Sequence, residues 1–217
     1  MAQQTRAVYL LSPSPREGVL HLPMISFSLS AERIDFSLCD TLMFSSKQAV
    51  KSAEAIDPDW KNYPCIAIGS ATKNQIELLG GRVIHHPENF YADALADAVI
   101  ASFSDKKLLY LRPKEVSFDS KGYLAQAGID LQEQIIYETS CVVYDREDAP
   151  VENAIIIFTS PSSIHCFLKN FSWRESYTAI VIGHATKIHL PEGADFAVAD
   201  RPLISACVAK AEELQSY

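Results

Sequence analysis

The chain has 217 residues, 48% hydrophobic and 21% charged, a composition that fits one large globular domain or two of about 100 residues each. Nineteen Lys and Arg against 27 Asp and Glu leave a net charge of −8, which excludes a generic basic surface for nucleic acid, because phosphate neutralisation needs clustered cations. No apolar run reaches the roughly 18 residues of a membrane span, and the polar start Met1–Arg6 with the short run Ala7–Leu11 does not make a signal peptide.

In chain order, strands are expected at Ala7–Leu11 and Met24–Ser28. Between them Pro13, Pro15, Gly18 and Pro23 disfavour a crossover helix and leave a loop or a single turn. The apolar run Thr41–Phe44 ends in Ser45-Ser46 and a helix-like stretch, and Cys65–Ile68 ends in Gly69-Ser-Ala-Thr72, which opens a second helix. Next come a strand at Arg82–His85, a helix at Ala92–Ser102, a strand at Lys107–Leu111, a helix before Gly128 and a strand at Gln134–Tyr137. After a returning segment, Thr139–Tyr144, the fully apolar run Ala154–Phe158 leads into Thr159-Ser160-Pro-Ser162-Ser163. A strand ending in Ile182-Gly183-His-Ala-Thr186, a strand at Phe196–Val198 and a helix at Leu203–Leu214 follow. Unbroken aliphatic runs read as parallel strands covered on both faces, and Ser46 and Ser162, each just before a helical stretch, read as N-caps. The five cysteines, Cys39, Cys65, Cys141, Cys166 and Cys207, are odd in number and lack any Cys-x-x-Cys. Several sit in apolar runs, as free thiols packed in a reduced, cytoplasmic protein do.

The chain contains a repeat. Phe44 and Phe158 lie 114 positions apart, as do Gly69 and Gly183, and each pair carries similar flanking residues. Alternating strands and helices in two copies predict an α/β fold with two parallel-sheet domains. The second copy lacks a counterpart of Leu108–Leu111 at its end, and a similar strand stands at the N-terminus. The expected organisation is therefore a discontinuous domain of 1–24 plus 145–217 and an inserted domain of 29–138. Two antiparallel linker strands, 24–28 and 139–144, would join them with a cleft between.

Dinucleotide and Walker-type glycine motifs are absent, and so is a Gly-x-Ser-x-Gly elbow. His85, His86, His184 and His189 have no Cys or carboxylate partners at metal-ligand spacing, so no metal or other cofactor is expected. A duplicated set of hydroxyl residues remains: Ser45, Ser46, Ser70 and Thr72 against Thr159, Ser160, Ser162, Ser163 and Thr186. Plain helix capping accounts for such residues one by one. As a set they fall at the carboxyl ends of parallel strands, where ligands bind and helix N-termini favour anions. Tyr137, at the end of its strand, is a candidate proton donor or acceptor, and Arg112, Lys114 and Arg16 are candidate carboxylate ligands.

These residues resemble the uroporphyrinogen-III synthase family of tetrapyrrole biosynthesis. The matching features are Phe158-Thr-Ser-Pro-Ser-Ser with its copy Phe44-Ser-Ser-Lys-Gln-Ala, the paired Ile68-Gly-Ser-Ala-Thr and Ile182-Gly-His-Ala-Thr, and Gly128 nine positions before Tyr137-Glu-Thr. Their order and spacing cover about Val8 to Leu214. The resemblance implies two α/β domains on a two-stranded linker, one of them discontinuous. It implies conversion of hydroxymethylbilane to uroporphyrinogen III by a lyase without cofactor or metal. Water is lost, the macrocycle closes and the last pyrrole ring inverts through a spiro intermediate. Tyr137 matches the tyrosine thought to help the terminal hydroxyl leave. Ser45, Ser46, Lys47, Ser70, Thr72, Arg112, Thr159, Ser160, Ser162, Gly183 and Thr186 match positions that hold the substrate's acetates and propionates. Transient contact with hydroxymethylbilane synthase is expected too, and a monomer is expected because no coiled coil or obvious apolar stripe is left over. The chain departs from the family in having Ser46-Lys47 where Ser-Pro is common, and Ser117 where a basic residue often stands. A non-catalytic two-domain module clasping a small anionic ligand is the alternative.

Overall fold

The computed structural model describes residues 5–86, 103, 105–116 and 118–215. The helix expected at 92–102 and the departure at Ser117 lie outside the described residues. The chain divides into two compact units, Met1–Ser26 with Ser140–Tyr217, and Phe27–Thr139.

The continuous unit is built on β3 (Ile25–Leu29), β4 (Thr41–Phe44), β5 (Pro64–Ala67), β6 (Arg82–His85), β7 (Leu108–Pro113) and β8 (Leu131–Cys141), in the order β3-β8-β7-β4-β5-β6. From β8 to β6 all neighbours pair in parallel. At the β3 edge, Ser30 N–H donates to Ile136 O and Val142 N–H to Met24 O, so the partners run in opposite directions and the strands are antiparallel. All four β4 residues are buried, because helices cover both sheet faces. On one face Leu42, Phe44, Leu109, Leu111, Ile136 and Tyr137 pack together, and on the other Met43, Leu108, Tyr110 and Leu131 do so. Helices α1 (Lys47–Ile56), α2 (Gly69–Leu78) and α3 (Ser120–Gln126) complete the described part of this unit. Trp60, fully buried, anchors the first face, meeting Phe44 edge-on and donating Nε1–H to Glu54 at 2.8 Å.

The discontinuous unit has β1 (Val8–Leu10), β2 (Leu20–His21), β9 (Ile155–Phe158), β10 (Thr178–Val181) and β11 (Asp195–Val198) in an all-parallel sheet, β11-β10-β9-β1-β2. Helices α4 (Pro161–Asn170), α5 (His184–Lys187) and α6 (Ile204–Gln215) accompany it. β1 and β2 are joined by residues 11–19 without a helix, consistent with the prolines there. Phe158, Phe167, Trp173 and Tyr177 form a chain of largely edge-on ring contacts. The Tyr177 hydroxyl is satisfied by Pro150 O at 2.6 Å. The two sheets follow one plan, β1, β9, β10 and β11 standing where β7, β4, β5 and β6 stand in the other.

Three sequence expectations need correction. Residues 134–137 and 139–144 are not two segments: Leu131–Cys141 is one strand, and 142–144 lie beyond its end, with Val142 N–H still donating to Met24 O. The sequence reading ended one strand at Tyr137 and began the returning segment at Thr139, whereas the polar Glu138, Thr139 and Ser140 all lie inside β8. The N-cap of α4 is Ser160, not Ser162: Ser160 Oγ accepts from Ser163 N, and Pro161 occupies the first turn. Cys141 and Cys166 are not free thiols but form a disulfide, which leaves Cys39, Cys65 and Cys207 free. Spacing along the chain could not show that the end of β8 returns beside α4. Asn170 ties the same place together, donating to Val142 O and Cys166 O and accepting from Tyr144 N.

Candidate active site

The strand-end turns of both copies are built by one local rule. A buried apolar strand delivers the chain to a hydroxyl residue with extended backbone, whose side chain accepts from the first turn of the next helix. Ser46 does this for α1, taking Ala49 N–H at 3.0 Å, and Ser160 does it for α4, taking Ser163 N–H at 3.2 Å. The second duplicated turn differs between copies. Gly69 has φ 70°, a conformation that favours glycine, whereas Gly183 has φ 179°, which any residue adopts, and no atom stands near where a Cβ would be. Glycine is thus a backbone requirement at 69 and not at 183.

In the continuous unit the structure brings Ser45, Ser46 and Tyr137 together. The Tyr137 ring is 5% exposed, lies edge-on to Phe27, and its hydroxyl sits 3.0 Å from Ser46 Oγ. Burial pushes the phenol above its usual range, and the hydrogen bond with Ser46 offsets this only in part. The group is therefore protonated at neutral pH. Ser45, next along the turn, accepts from the hydroxyl of Tyr110 at 2.6 Å. Tyr110 is also raised by burial. Sequence reasoning did not single out Tyr110, which sits in the apolar run Leu108–Leu111 and reads there as one more core side chain. Its one distinguishing mark was a hydroxyl that a strand interior cannot satisfy.

Arg112 is committed within its own unit. Its Nε lies 3.2 Å from Glu133 Oε1, an ion pair with both side chains under one-fifth exposed, although the angle does not make that contact a hydrogen bond. Its Nη1 donates to Pro113 O and Lys114 O. Glu133 stands opposite Tyr110 in the β7–β8 register, a partnership invisible in sequence. Lys114 pairs with Glu138 at 3.0 Å. Lys47 and Ser70 are exposed at the starts of α1 and α2, while Thr72 is buried at 4%.

In the discontinuous unit, Thr159 and Ser160 are half-buried at the end of β9, and Ser162 is exposed on the first turn of α4. Ser163 is fully buried and donates to Ser160 O at 2.7 Å. Gly183 caps α5, and Thr186, buried at 3%, donates its backbone N–H to Gly183 O. Among the described residues no helix is long and apolar enough to cross a membrane.

Comparison with known proteins gives one consistent answer. Residues 17–209 match the family model of uroporphyrinogen-III synthase HemD. The solved uroporphyrinogen-III synthetase of Helicobacter pylori 26695 is 26% identical, with TM-score 0.81 over 96% of this chain and 99% of that one. A uroporphyrinogen III synthase mutant from the extremely thermophilic bacterium Thermus thermophilus is 11% identical, with TM-score 0.59 over 98% of this chain and 100% of that one, a likeness of fold. No curated protein sequence matches the chain. With the family model spanning most of its length, the chain belongs to the uroporphyrinogen-III synthase HemD family.

Proposed function

We propose that the chain carries out its family's reaction around Tyr137 and the Ser45–Ser46 turn. Hydroxymethylbilane is closed to uroporphyrinogen III with loss of water and inversion of the terminal pyrrole ring, which makes the enzyme a carbon–oxygen lyase. The observation that carries this reading is the 3.0 Å contact between Tyr137 Oη and Ser46 Oγ. Ser46 Oγ already accepts from Ala49 N–H, and its own proton has no other acceptor among the described residues. Donating that proton to Tyr137 Oη satisfies Ser46 and leaves the phenolic proton free. The neutral phenol can then protonate the departing hydroxyl as the C–O bond breaks. Only water is lost overall, so the proton returns to Tyr137 from the substrate as the macrocycle closes.

An electron-rich pyrrole expels hydroxide readily, so one weak acid suffices and most of the work is positioning. Ser45, Ser70 and Lys47 in one unit, and Thr159, Ser160 and Ser162 in the other, are the exposed or half-buried candidates for the substrate's carboxylates. Arg112, paired with Glu133, serves the site by holding the end of β7 unless substrate displaces that carboxylate. We further propose a cytoplasmic monomer that receives hydroxymethylbilane in transient contact with its synthase. In the cytoplasm thiols are kept reduced, so the Cys141–Cys166 bond is the feature of this chain most sensitive to the compartment.

The test is to supply hydroxymethylbilane freshly made by its synthase and separate the oxidised isomers. Type III product above the uncatalysed rate is expected. Type I alone, with ligand-dependent protection of the fold, would favour a non-catalytic module. Tyr137→Phe should slow formation of type III by several-fold to about 10²-fold, the range of one positioned proton donor. An unchanged rate would assign Tyr137 to packing.

A further inference from the structure

We propose that Tyr110 is a second positioning tyrosine of this enzyme, holding Ser45 Oγ so that the serine's own proton is presented to a substrate carboxylate. The inference rests on the reading that the Ser45–Ser46 turn holds substrate, and it concerns a residue outside that turn.

The geometry has three parts. First, the hydrogen bond is directional: Tyr110 donates to Ser45 Oγ at 2.6 Å. Ser45 Oγ–H then has no acceptor among the described residues and is left to donate elsewhere. A hydroxyl that accepts a short hydrogen bond becomes a better donor, because the two bonds polarise each other. Burial keeps the Tyr110 phenol protonated, so the donation persists through neutral pH.

Second, the two phenols reach neighbouring serines from opposite sides of the sheet. Tyr137 packs with Leu42, Phe44, Leu109 and Leu111, whereas Tyr110 packs with Met43, Leu108 and Leu131. Alternation along β4 and β7 puts these sets on opposite faces. Ser45 and Ser46 are thereby pinned independently, one from each face.

Third, the protein contains its own control. Met43 pairs with Tyr110 in the β4–β7 register, and its repeat equivalent Ile157 pairs with Leu10 in the β9–β1 register. The counterpart of Tyr110 is therefore Leu10, fully buried and without a hydroxyl. The same sheet position packs with leucine in one unit, so the fold does not demand a tyrosine there. A phenol in that core must find a partner for its hydroxyl, and here it finds Ser45. Packing alone explains a large apolar residue at 110 but leaves the hydroxyl unexplained.

The experiment compares wild type, Tyr110→Phe, Ser45→Ala and the double variant, with hydroxymethylbilane as substrate and type III isomer as readout. Tyr110→Phe should raise KM about ten- to thirtyfold, the low end of what one hydrogen bond to a bound anion is worth. It should leave kcat within about twofold and lower the urea midpoint only by the small amount that one lost hydrogen bond costs. Ser45→Ala should raise KM similarly, and the double variant should be no worse than Ser45→Ala, since Tyr110 acts through Ser45. Tyr110→Leu, copying Leu10, guards against a folding defect peculiar to Phe and should give the same KM shift. If Ser45→Ala raises KM while both Tyr110 variants keep the wild-type value, the proposal falls and the reading of the turn stands. If Ser45→Ala itself binds normally, the reading of the turn falls and the proposal with it. A Tyr110→Phe defect confined to the urea midpoint would make Tyr110 a packing residue and also overturn the proposal.

Discussion

Ser46→Ala removes one oxygen that serves two partners. The variant strips the N-cap from α1, since Ala49 N–H loses its acceptor, at a typical cost of about 1 kcal/mol. It also removes the partner of Tyr137 Oη on a ring only 5% exposed, and an unpaired buried hydroxyl adds about 1–3 kcal/mol. The expected loss is therefore about 2–4 kcal/mol. Tyr137→Phe removes the phenol instead and leaves Ser46 free to cap, so it should cost about 1 kcal/mol. The double variant has no orphaned phenol and should be less damaged than the two singles combined, with a coupling of about 1–2 kcal/mol. Urea unfolding measures this, and the molecule supplies a local probe. Trp60 packs in the same cluster as Phe44 and Tyr137, and Trp173 is the only other tryptophan. In a Trp173→Phe background, fluorescence follows the unit that contains Ser46, which matters because two units need not unfold together. Free energies that add within about 0.5 kcal/mol would refute the shared hydrogen bond, and an unaffected Ser46→Ala would refute the cap as well.

Tyr110 and Tyr137 are both raised above the usual phenol value of 10.0 by burial. Their unfolded forms deprotonate first, so the stability they contribute is complete below pH 10 and declines as pH rises through the folded values. A plot of urea midpoint against pH should bend downward above pH 10, less so in the Tyr110→Phe/Tyr137→Phe double variant, and an identical bend in both proteins would count against it. Gly81→Ala should destabilise by about 1–3 kcal/mol, because its Cβ would approach Trp60 Cη2 at 2.6 Å and Ile76 Cγ2 at 2.8 Å in a packed core; calorimetry showing no change would mean the Trp60 ring can move aside. The Cys141–Cys166 bond closes a loop between residues 25 apart, and chain-entropy reasoning gives about 3 kcal/mol for its loss. Cys141→Ser/Cys166→Ser should unfold at lower urea when followed by Trp173 in a Trp60→Phe background, and the wild-type midpoint after thiol reduction should fall by the same amount.

What the sequence determined by itself was whatever is local or repeats. Unbroken aliphatic runs marked covered parallel strands at 41–44 and 155–158, because burial on both faces leaves no polar alternation to keep. The duplicated Phe-hydroxyl-hydroxyl turns marked the strand ends and Ser46 as the first cap, but the second cap was placed at Ser162, where the structure has Ser160, the residue 114 positions after Ser46. Tyr137 was visible because it follows an apolar run next to recognisable motifs, although β8 runs on past it to Cys141. The tertiary structure decided everything that depends on register and return. Tyr110 became a hydrogen-bond donor to Ser45 only when β7 was laid beside β4, and Arg112 became the partner of Glu133 only when β8 was laid beside β7. Cys141 met Cys166 because the end of β8 comes back against α4. Periodicity reports which side of an element is buried, and each of these contacts depends on which residue of another element stands opposite, a quantity carried by no stretch of chain taken alone.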